Sequence, residues 1–352
     1  MIATDAALTA FLPRLQSAPW LAMDTEADSL HSYPEKLCLV QVSLPGADVL
    51  VDPLAGVDLS PFWAALAGRE LILHGGDYDL RLLHRGPNFV PASVFDTMLA
   101  ARLLGFTEFG LTSLVRRFLN VELEKGPQRA DWSRRPLTER MIAYARNDAR
   151  YLQPLAAVLR AQLVEKGRLA WHAQMCRQLI DDAIRSPAGD NGDAWRIKSA
   201  DLLTRRSLAV LRHLWHWREG EARAANRPPF FVLSHDTLFS LAVAATNGDA
   251  AEKLIPKRYS PRRRASLSGA IEEALTIPES EWPHPRRHRG QRLTMAQKQQ
   301  LERLRRHRDR AAERLGLDPT LIASRGTLVR LAADWEKTSE DLLPWQRELL
   351  KS

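Results

Sequence analysis

The sequence has few cysteines and no long hydrophobic run. Its 352 residues include only Cys38 and Cys176, which lie far apart and so exclude a disulfide framework or a zinc knuckle. No apolar run approaches the ~18 residues of a transmembrane helix. Residues 1–12 also lack the basic region that precedes the apolar part of a secretory signal. We therefore expect no membrane association and a location in the reducing cytoplasm.

Two other absences narrow the function. The chain contains no G-x-x-x-x-G-K-[ST] phosphate-binding loop, which excludes the ATPase site of a helicase. No strong internal repeat is visible, only two C-terminal helical modules of similar character. Nothing in the sequence bears on the oligomeric state.

Charge is unevenly distributed along the chain. The length suggests two or three domains, and a hydrophobic content of 45% is ordinary for a globular protein. Residues 1–190 carry 20 Lys/Arg and 22 Asp/Glu, whereas residues 191–352 carry 30 and 20. A basic half joined to a slightly acidic half indicates a polyanionic partner, most often nucleic acid. A basic surface that serves solubility is the alternative.

Two carboxylates end the apolar run that begins at Trp20. If this run is a strand, its side chains alternate between faces, so Asp24 and Glu26 point the same way. Unpaired buried charge is costly, and a divalent cation is one partner that would offset it. The alternative is a strand end whose acidic residues reach water.

A second block combines a strand, a glycine turn and a helix. Residues 70–74 are predicted as a strand, and Asp77 suits the N-cap of the helix that follows. Asp79 then lies in the first turn, where the helix dipole favours a carboxylate, and this is also a purely structural reason for it. Asp96 repeats the strand-to-helix pattern and is expected to be a cap rather than a metal ligand.

A third block is an amphipathic helix that begins near Thr138. Tyr144 and Asp148 are four residues apart, so they share one face. The alternative is a core aromatic residue beside a surface acid. Together the three blocks supply four carboxylates, which cannot stay charged and close without cations. Two divalent ions would satisfy them and would clamp a phosphodiester for attack by water.

These blocks resemble the three motifs of the DEDD 3′–5′ exonucleases in order and spacing. The flanking residues 33–41 and 131–137 are very similar to the ribonuclease D family, and the resemblance covers roughly residues 15–185. The residues that carry the motifs are Asp24-Thr25-Glu26, His74-Gly75-Gly76-Asp77-Tyr78-Asp79 and Tyr144-Ala145-Arg146-Asn147-Asp148.

The resemblance implies an α/β ribonuclease H-like domain with a mixed sheet and flanking helices. Because Tyr144 precedes the last acid by four positions, the chain is similar to the tyrosine (DEDDy) branch. In that family Asp24, Glu26 and Asp148 would hold the first metal ion, and Asp24 would bridge to the second. Asp79 would hold the second ion directly or through water, and Tyr144 would orient the attacking water.

Three further residues are candidates for substrate contacts. Arg134 and Arg135 lie close to the third motif and are candidates for contacting substrate phosphate, although exposed arginines are often only solvated charge. His74 is interpreted as a positioning or packing residue rather than a base.

The C-terminal half is predicted to be all-α and resembles the HRDC module. Residues 208–219 and 226–229 carry this resemblance, and residues 315–319 suggest a second, divergent module. We therefore predict three domains. They are an exonuclease domain over residues 1–185, an HRDC-like domain over 195–278 and a second one over 290–352.

The resemblance implies a metal-dependent 3′–5′ exoribonuclease. It would hydrolyse single-stranded RNA 3′ ends, in processing of tRNA or another structured RNA, and release nucleoside 5′-monophosphates with two Mg²⁺ or Mn²⁺ ions. A nucleic-acid-binding protein with a weak or inactive exonuclease site is the rival hypothesis. A DNA 3′–5′ exonuclease is a third possibility, because the same chemistry acts on either polymer.

Overall fold

The computed structural model describes residues 1–124, 126–185, 192–285 and 293–351. These residues form two compact units. The first comprises residues 1–27, 37–185 and 293–351, and the second comprises residues 28–36 and 192–285.

Helices and strands alternate in the first part of the chain, and helices alone follow. The elements before residue 186 are α1 (Asp5–Ser17), β1 (Leu21–Ala27), β2 (Leu37–Leu44), β3 (Ala47–Val51), α2 (Ser60–Leu66), β4 (Glu70–Leu73), α3 (Asp77–Arg85), β5 (Ser93–Asp96), α4 (Thr97–Leu103), α5 (Leu111–Leu119), α6 (Glu139–Arg150), α7 (Leu152–Glu165) and α8 (Leu169–Arg185). Those of the second unit are α9 (Arg205–Ala225), α10 (Pro229–Val232), α11 (His235–Asn247) and α12 (Pro261–Leu275). The last are α13 (Met295–Leu315), α14 (Pro319–Ile322), α15 (Arg325–Ala333), α16 (Trp335–Ser339) and α17 (Pro344–Lys351).

β1 is the central strand of a five-stranded mixed sheet. The strand order is β3-β2-β1-β4-β5, with β1 antiparallel to β2 and parallel to β4. All eight residues of β2 are buried, as expected for an apolar strand covered on both faces. The sheet and its helices confirm the predicted ribonuclease H-like α/β fold. Because β1 and β4 are parallel, their carboxyl ends meet at one edge, where ligands bind in open α/β sheets.

Side chains on the two faces of the sheet belong to two different apolar clusters. Met23 and Leu73 pack against α1, α2, α3 and α8, whereas Ala22, Ile72 and Phe95 pack against α4, α5 and α7. This alternation follows from the period of two in a strand. It also decides which helices each polar residue of β1 can reach.

The start of α3 differs from the prediction. Gly76, and not Asp77, is the N-cap residue, and Asp77 is the first helical residue. The Gly76 N–H donates to the buried Asp96 carboxylate (2.8 Å), and Asp77 forms an ion pair with Arg81 (2.7 Å). Among the described residues, no side chain therefore caps the first turn of α3, and Asp96 instead holds the backbone N–H of the N-cap residue itself.

Residues 293–351 belong to the same unit as the exonuclease sheet. The Trp345 ring stacks on Trp171 of α8, with ring centroids 4.8 Å apart. The guanidinium of buried Arg168 donates to the carbonyls of Leu103 (2.7 Å) and Leu315 (2.6 Å). These helices are therefore part of the first unit's core.

The second unit contains the segment that links β1 to β2. The Tyr33 hydroxyl donates to Glu219 of α9, and its ring lies 5.6 Å from the guanidinium of Arg223. Glu219 is buried beside Arg218, at 2.8 Å. No helix in the described part of the chain combines the length and apolar character needed to cross a bilayer.

The two C-terminal helical regions repeat one another, although the sequence showed us no strong repeat. α9 and α13 each have 21 residues, and α10 and α14 each have four. The next helix is capped by a serine side chain in both. Matching positions 90 residues apart are Thr204 and Thr294, Pro229 and Pro319, Ser234 and Ser324, and Leu238 and Leu328.

Candidate active site

The first two acidic residues lie at the carboxyl end of the central strand. Asp24 and Glu26 are both partly exposed, whereas Thr25 between them is buried. By strand alternation, Asp24 and Glu26 share the face of Ala22, and Thr25 faces the side packed by α3. The alternation of side chains in β1 thus places the Asp24 and Glu26 carboxylates on the same face of the sheet, at its edge.

Helix α6 supplies the third acidic residue and the tyrosine. Its N-terminus is fixed by Thr138, whose hydroxyl accepts a hydrogen bond from the Met141 N–H (3.2 Å). Asp148 and Tyr144 are one turn apart and share a face, as their spacing predicts. The buried Ala145 and Ala149 let this helix pack on the sheet.

Three carboxylates converge at this edge. Asp24, Glu26 and Asp148 each offer an oxygen, and these oxygens lie within 4.8 Å of one another. Hard, oxygen-only ligands of this charge suit a divalent cation such as Mg²⁺. Like charges held this close need a cation, so the residues present fit a divalent metal site.

Asp79 does not belong to this group of three. Its carboxylate is buried in the first turn of α3 and accepts a hydrogen bond from the Thr25 hydroxyl (2.5 Å). Sequence reasoning missed the role of Thr25. The signal was available, because a threonine flanked by two strand acids must face the opposite side.

Without a bound cation, burial and mutual repulsion oppose ionisation of all the acidic side chains in the site. Burial raises the pKa of Asp24 well above its usual range, and the charges of Asp79, Asp148 and Glu26 raise it further. Burial also raises the pKa of Glu26 to about 9, again with help from the charges of Asp148 and Asp79.

The pKa values of Asp79 and Asp148 are raised by less than those of Asp24 and Glu26. Burial raises the pKa of Asp79 to about 6, and the Thr25 hydrogen bond opposes the shift. Burial raises the pKa of Asp148 to about 7, and the hydrogen bond from Tyr144 opposes it. Groups shifted in this way are typical of functional sites, and a bound cation would favour their charged forms.

Tyr144 stays protonated in this environment. Burial raises the pKa of its phenol above the ordinary value, and the nearby Asp148 charge adds to this. Its hydroxyl hydrogen-bonds Asp148 and the Gln128 side chain. Gly126 passes so close that an added Cβ would lie 1.6 Å from the Tyr144 ring. Neither Gln128 nor Gly126 was predicted, because their contacts are made by the chain that precedes α6.

Asp96 ends β5 and His74 directly follows β4, so both lie at the carboxyl ends of parallel strands of the sheet. Asp96 caps α4 through the Leu99 N–H (2.9 Å) and also accepts the Gly76 N–H, so the predicted capping role is confirmed. His74 Nδ1 lies 2.9 Å from the Thr97 hydroxyl, which itself donates to a backbone carbonyl. Burial lowers the pKa of His74 and keeps the imidazole neutral. These contacts hold the His74 ring within the fold, and its role in positioning or packing stays a prediction.

The two candidate arginines differ in their contacts. Arg134 is largely exposed and makes one ion pair with Asp131 (3.1 Å). Arg135 donates to both oxygens of buried Asp52 (2.6 Å each) and to three backbone carbonyls. Because those contacts occupy all its N–H groups, its geometry favours a structural role over a phosphate contact.

Comparisons with known proteins agree with this fold and site. A family profile described as 3′–5′ exonuclease matches residues 1–164, and an HRDC domain profile matches residues 207–250. The chain is 33% identical to ribonuclease D of Pseudomonas paraeruginosa over 99% of its own length and 94% of that relative.

Solved structures agree over nearly the whole chain. The structure of Escherichia coli RNase D, described as an exoribonuclease involved in structured RNA processing, has a TM-score of 0.78 and 29% identity. The match covers 98% of this chain and 91% of that one. A protein from Bifidobacterium adolescentis has a TM-score of 0.85 and 27% identity, over 99% and 94% of the two chains.

The fold and the acidic cluster therefore define a 3′–5′ exonuclease that carries an HRDC domain. The chain belongs to the ribonuclease D family, and these relatives support its activity as a 3′–5′ exoribonuclease in RNA processing.

Proposed function

We propose that this enzyme hydrolyses single-stranded RNA 3′ ends and releases nucleoside 5′-monophosphates, using two divalent ions, Mg²⁺ or Mn²⁺. The observation that carries this proposal is the convergence of Asp24, Glu26 and Asp148 at the sheet edge. Bound there, divalent ions would neutralise the phosphate and activate water for in-line attack.

The acidic residues are assigned different roles. We assign Asp24, Glu26 and Asp148 as the residues that would hold the first ion, and Asp24 would also help to hold the second. Asp79 is assigned to the second ion, directly or through water. Its hydrogen bond from the Thr25 hydroxyl orients the carboxylate.

Tyr144 is assigned to orient the attacking water. Its phenol remains protonated and already hydrogen-bonds Asp148, so its hydroxyl stands beside the metal ligands. Such a group positions a water molecule rather than removing its proton, since the phenol itself does not ionise near neutral pH.

The substrate is proposed to be the 3′ end of a tRNA or another structured RNA. The E. coli relative is described as acting in structured RNA processing, and the described helices of this chain include an HRDC domain. Arg134 remains our candidate for a phosphate contact, because its guanidinium is largely exposed. We also retain the cytoplasm as the proposed location.

We further propose that residues 290–352 contain a second HRDC-type module. The repeat of α9–α11 by α13–α15, with equal lengths for the first two helices, supports it. The three predicted domains (1–185, 195–278 and 290–352) are thus kept as a proposal based on sequence and repeat. In the described structure the last of them packs within the exonuclease unit.

Asp148→Asn tests the catalytic proposal. The substitution removes a charged ligand oxygen but keeps side-chain size, so we expect turnover to fall by about 10²-fold or more while RNA binding persists. The assay follows 5′-labelled single-stranded RNA over time on a sequencing gel, with Mg²⁺ or Mn²⁺ and with EDTA.

Asp181→Asn is the matched control, because Asp181 is an exposed acid on α8 outside the site. A 3′-shortening ladder that survives Asp148→Asn, or that persists in EDTA, would contradict the metal assignment. Full-length RNA with the unmodified enzyme in both metals, together with retained binding, would favour the rival hypothesis of a binding protein. A parallel DNA substrate decides between the two polymers.

A further inference from the structure

We infer that Gln41 positions the Asp24 carboxylate for metal binding by donating a side-chain N–H to it. The inference rests on the proposed function, in which Asp24 is a ligand of the metal ions. Gln41 lies in the middle of β2 and is 0% exposed. It therefore cannot touch the substrate, and any effect on the reaction must pass through a neighbouring residue.

The side-chain amide of Gln41 is buried without a partner. Neither its Nε2 nor its Oε1 has a hydrogen-bond partner within the described ranges of the chain. The other buried polar side chains of β1 and β2 are paired, since Thr25 donates to Asp79 (2.5 Å) and Ser43 to Asp48 (2.7 Å). An unpaired buried amide is costly, so a reason for keeping Gln41 in the sheet lies outside the stability of the fold.

The register of the sheet places Gln41 beside Asp24. The two residues are direct cross-strand partners in the antiparallel pair of β1 and β2, and Glu26 is likewise opposite Leu39. Directly opposed side chains leave the same face of a sheet, with Cβ atoms about 4.5–5.5 Å apart. A glutamine side chain is long enough to reach a carboxylate at this separation, and neither backbone has to move.

The chemistry of the neighbours decides which end of the amide faces Asp24. A metal-binding carboxylate only accepts hydrogen bonds, so it takes the N–H groups of Nε2. The Oε1 atom needs a donor, and the buried Trp132 Nε1–H also lacks a partner in the described structure. Trp132 belongs to the same apolar cluster as Leu39 and Leu50, which flank Gln41 along β2 and across β3. The surroundings therefore supply an acceptor from β1 and a donor from this cluster, as an amide requires.

A carboxylate that holds metal ions benefits from such a donor. Ligating carboxylates are themselves hydrogen-bonded, and these outer contacts fix their orientation. Thr25 donates to Asp79 in this way, from the opposite face of β1. Gln41 is the corresponding donor for Asp24, the acid that we assign to both ions.

The test measures metal binding by the full chain in the absence of RNA. Mn²⁺ is titrated into wild type and Gln41→Met, and the free ion is followed by electron paramagnetic resonance. Methionine keeps nearly the length and volume of glutamine and removes both hydrogen-bonding atoms. Because partners of metal ligands typically contribute about 10–100-fold, we expect the dissociation constant for Mn²⁺ to rise by about tenfold or more.

Stability in EDTA separates positioning from packing. The melting temperature of Gln41→Met should equal or exceed that of wild type, since an apolar group of similar shape replaces an unpaired amide. Gln41→Leu differs in shape and should weaken Mn²⁺ binding to the same extent. Ser43→Ala is the matched control, because Ser43 is a buried polar residue on the same face of β2 and bonds Asp48. It should lower the melting temperature and leave the Mn²⁺ affinity unchanged.

The outcomes distinguish this inference from the proposed function. Unchanged Mn²⁺ affinity in both Gln41 variants, together with a loss in Asp148→Asn, overturns the inference and leaves the metal site standing. Weaker binding that is matched by a lower melting temperature in EDTA assigns Gln41 to packing and also overturns it. Mn²⁺ binding that is absent in wild type, or unchanged in Asp148→Asn, overturns the proposed metal site and the inference with it. Retained stability with about tenfold weaker binding supports Gln41 as a positioning residue.

Discussion

At the scale of single residues, Thr25 links the central strand to α3. Its hydroxyl lies 2.5 Å from the Asp79 carboxylate, and both side chains are buried. The hydrogen bond orients an acid that stands outside the cluster of three converging carboxylates. If Asp79 holds the second ion as proposed, Thr25 acts as a positioning residue through this hydrogen bond.

Thr25→Val keeps the shape of the side chain and removes that hydrogen bond. Because partners of metal ligands typically contribute 10–100-fold, we expect activity at limiting Mg²⁺ to fall by about that factor. Part of the loss should be recovered at high Mg²⁺ concentration. Steady-state kinetics over a metal titration measures both effects. Thr25→Ser is the control and should retain most activity, because it keeps the hydroxyl. If wild type, Thr25→Val and Thr25→Ser show the same dependence on Mg²⁺ concentration, Thr25 does not position Asp79 for metal binding.

The raised pKa values of the acids predict a pH-dependent response to metal. In metal-free protein these carboxyls bind protons more tightly when folded, so their stabilising effect is lost as pH rises from the unfolded pKa towards the folded one. For Asp79, Asp148 and Glu26 the folded values are about 6, 7 and 9. Metal binds the deprotonated forms, so its stabilising effect grows over the same window.

We therefore expect the Mg²⁺-induced increase in melting temperature to be larger at about pH 8.5 than at about pH 6. Each proton released per ion tightens Mg²⁺ binding by about tenfold per pH unit. Differential scanning fluorimetry with Mg²⁺ and with EDTA gives the shift at each pH. In Asp148→Asn the pH dependence should shrink. A shift that is the same at both pH values would be inconsistent with protonated acids in the metal-free site.

At the scale of elements, the segment before α6 packs against the ring of Tyr144. Gly126 approaches the Tyr144 ring so closely that a methyl group would overlap it. Gly126→Ala should displace the ring or the loop, and we expect kcat to fall by about tenfold or more, since small displacements of catalytic groups are costly. The Gly68→Ala control adds a methyl group with no atom within 4 Å and should leave kcat unchanged. Single-turnover kinetics at saturating RNA gives the comparison, and equal rates would mean that Tyr144 does not need its present position.

At the scale of the whole molecule, the C-terminal helices and the exonuclease sheet share one core in the first unit. Trp345 is 2% exposed and stacks on Trp171. Trp345→Ala should lower the free energy of unfolding by about 3–5 kcal/mol, the usual cost of truncating a buried tryptophan. Urea denaturation followed by circular dichroism measures it, and the temperature of thermal inactivation should fall in parallel. Loss of stability without faster inactivation would show that residues 293–351 unfold separately.

Local patterns of the sequence determined much of the site. Asp24 and Glu26 share a face because of strand periodicity, and Tyr144 and Asp148 share one because of helix periodicity; the family resemblance supplied their roles. The repeat of α9–α11 by α13–α15 escaped sequence inspection because few residues besides caps and buried leucines are kept. The repeat is recognised from the helix lengths and cap positions, which only the backbone structure gives.

The sequence by itself determined the α/β and all-α halves, the order of the acidic motifs and the basic character of the second half, because these depend on short-range periodicity and composition. Only the tertiary structure decided that Thr25 hydrogen-bonds Asp79 and that Arg135 donates its hydrogen bonds to Asp52 and to backbone carbonyls. It also decided that residues 293–351 pack in the exonuclease core. Each of these depends on contacts between residues far apart in the chain. Such contacts are set by how the apolar faces pack together, and no local pattern encodes them.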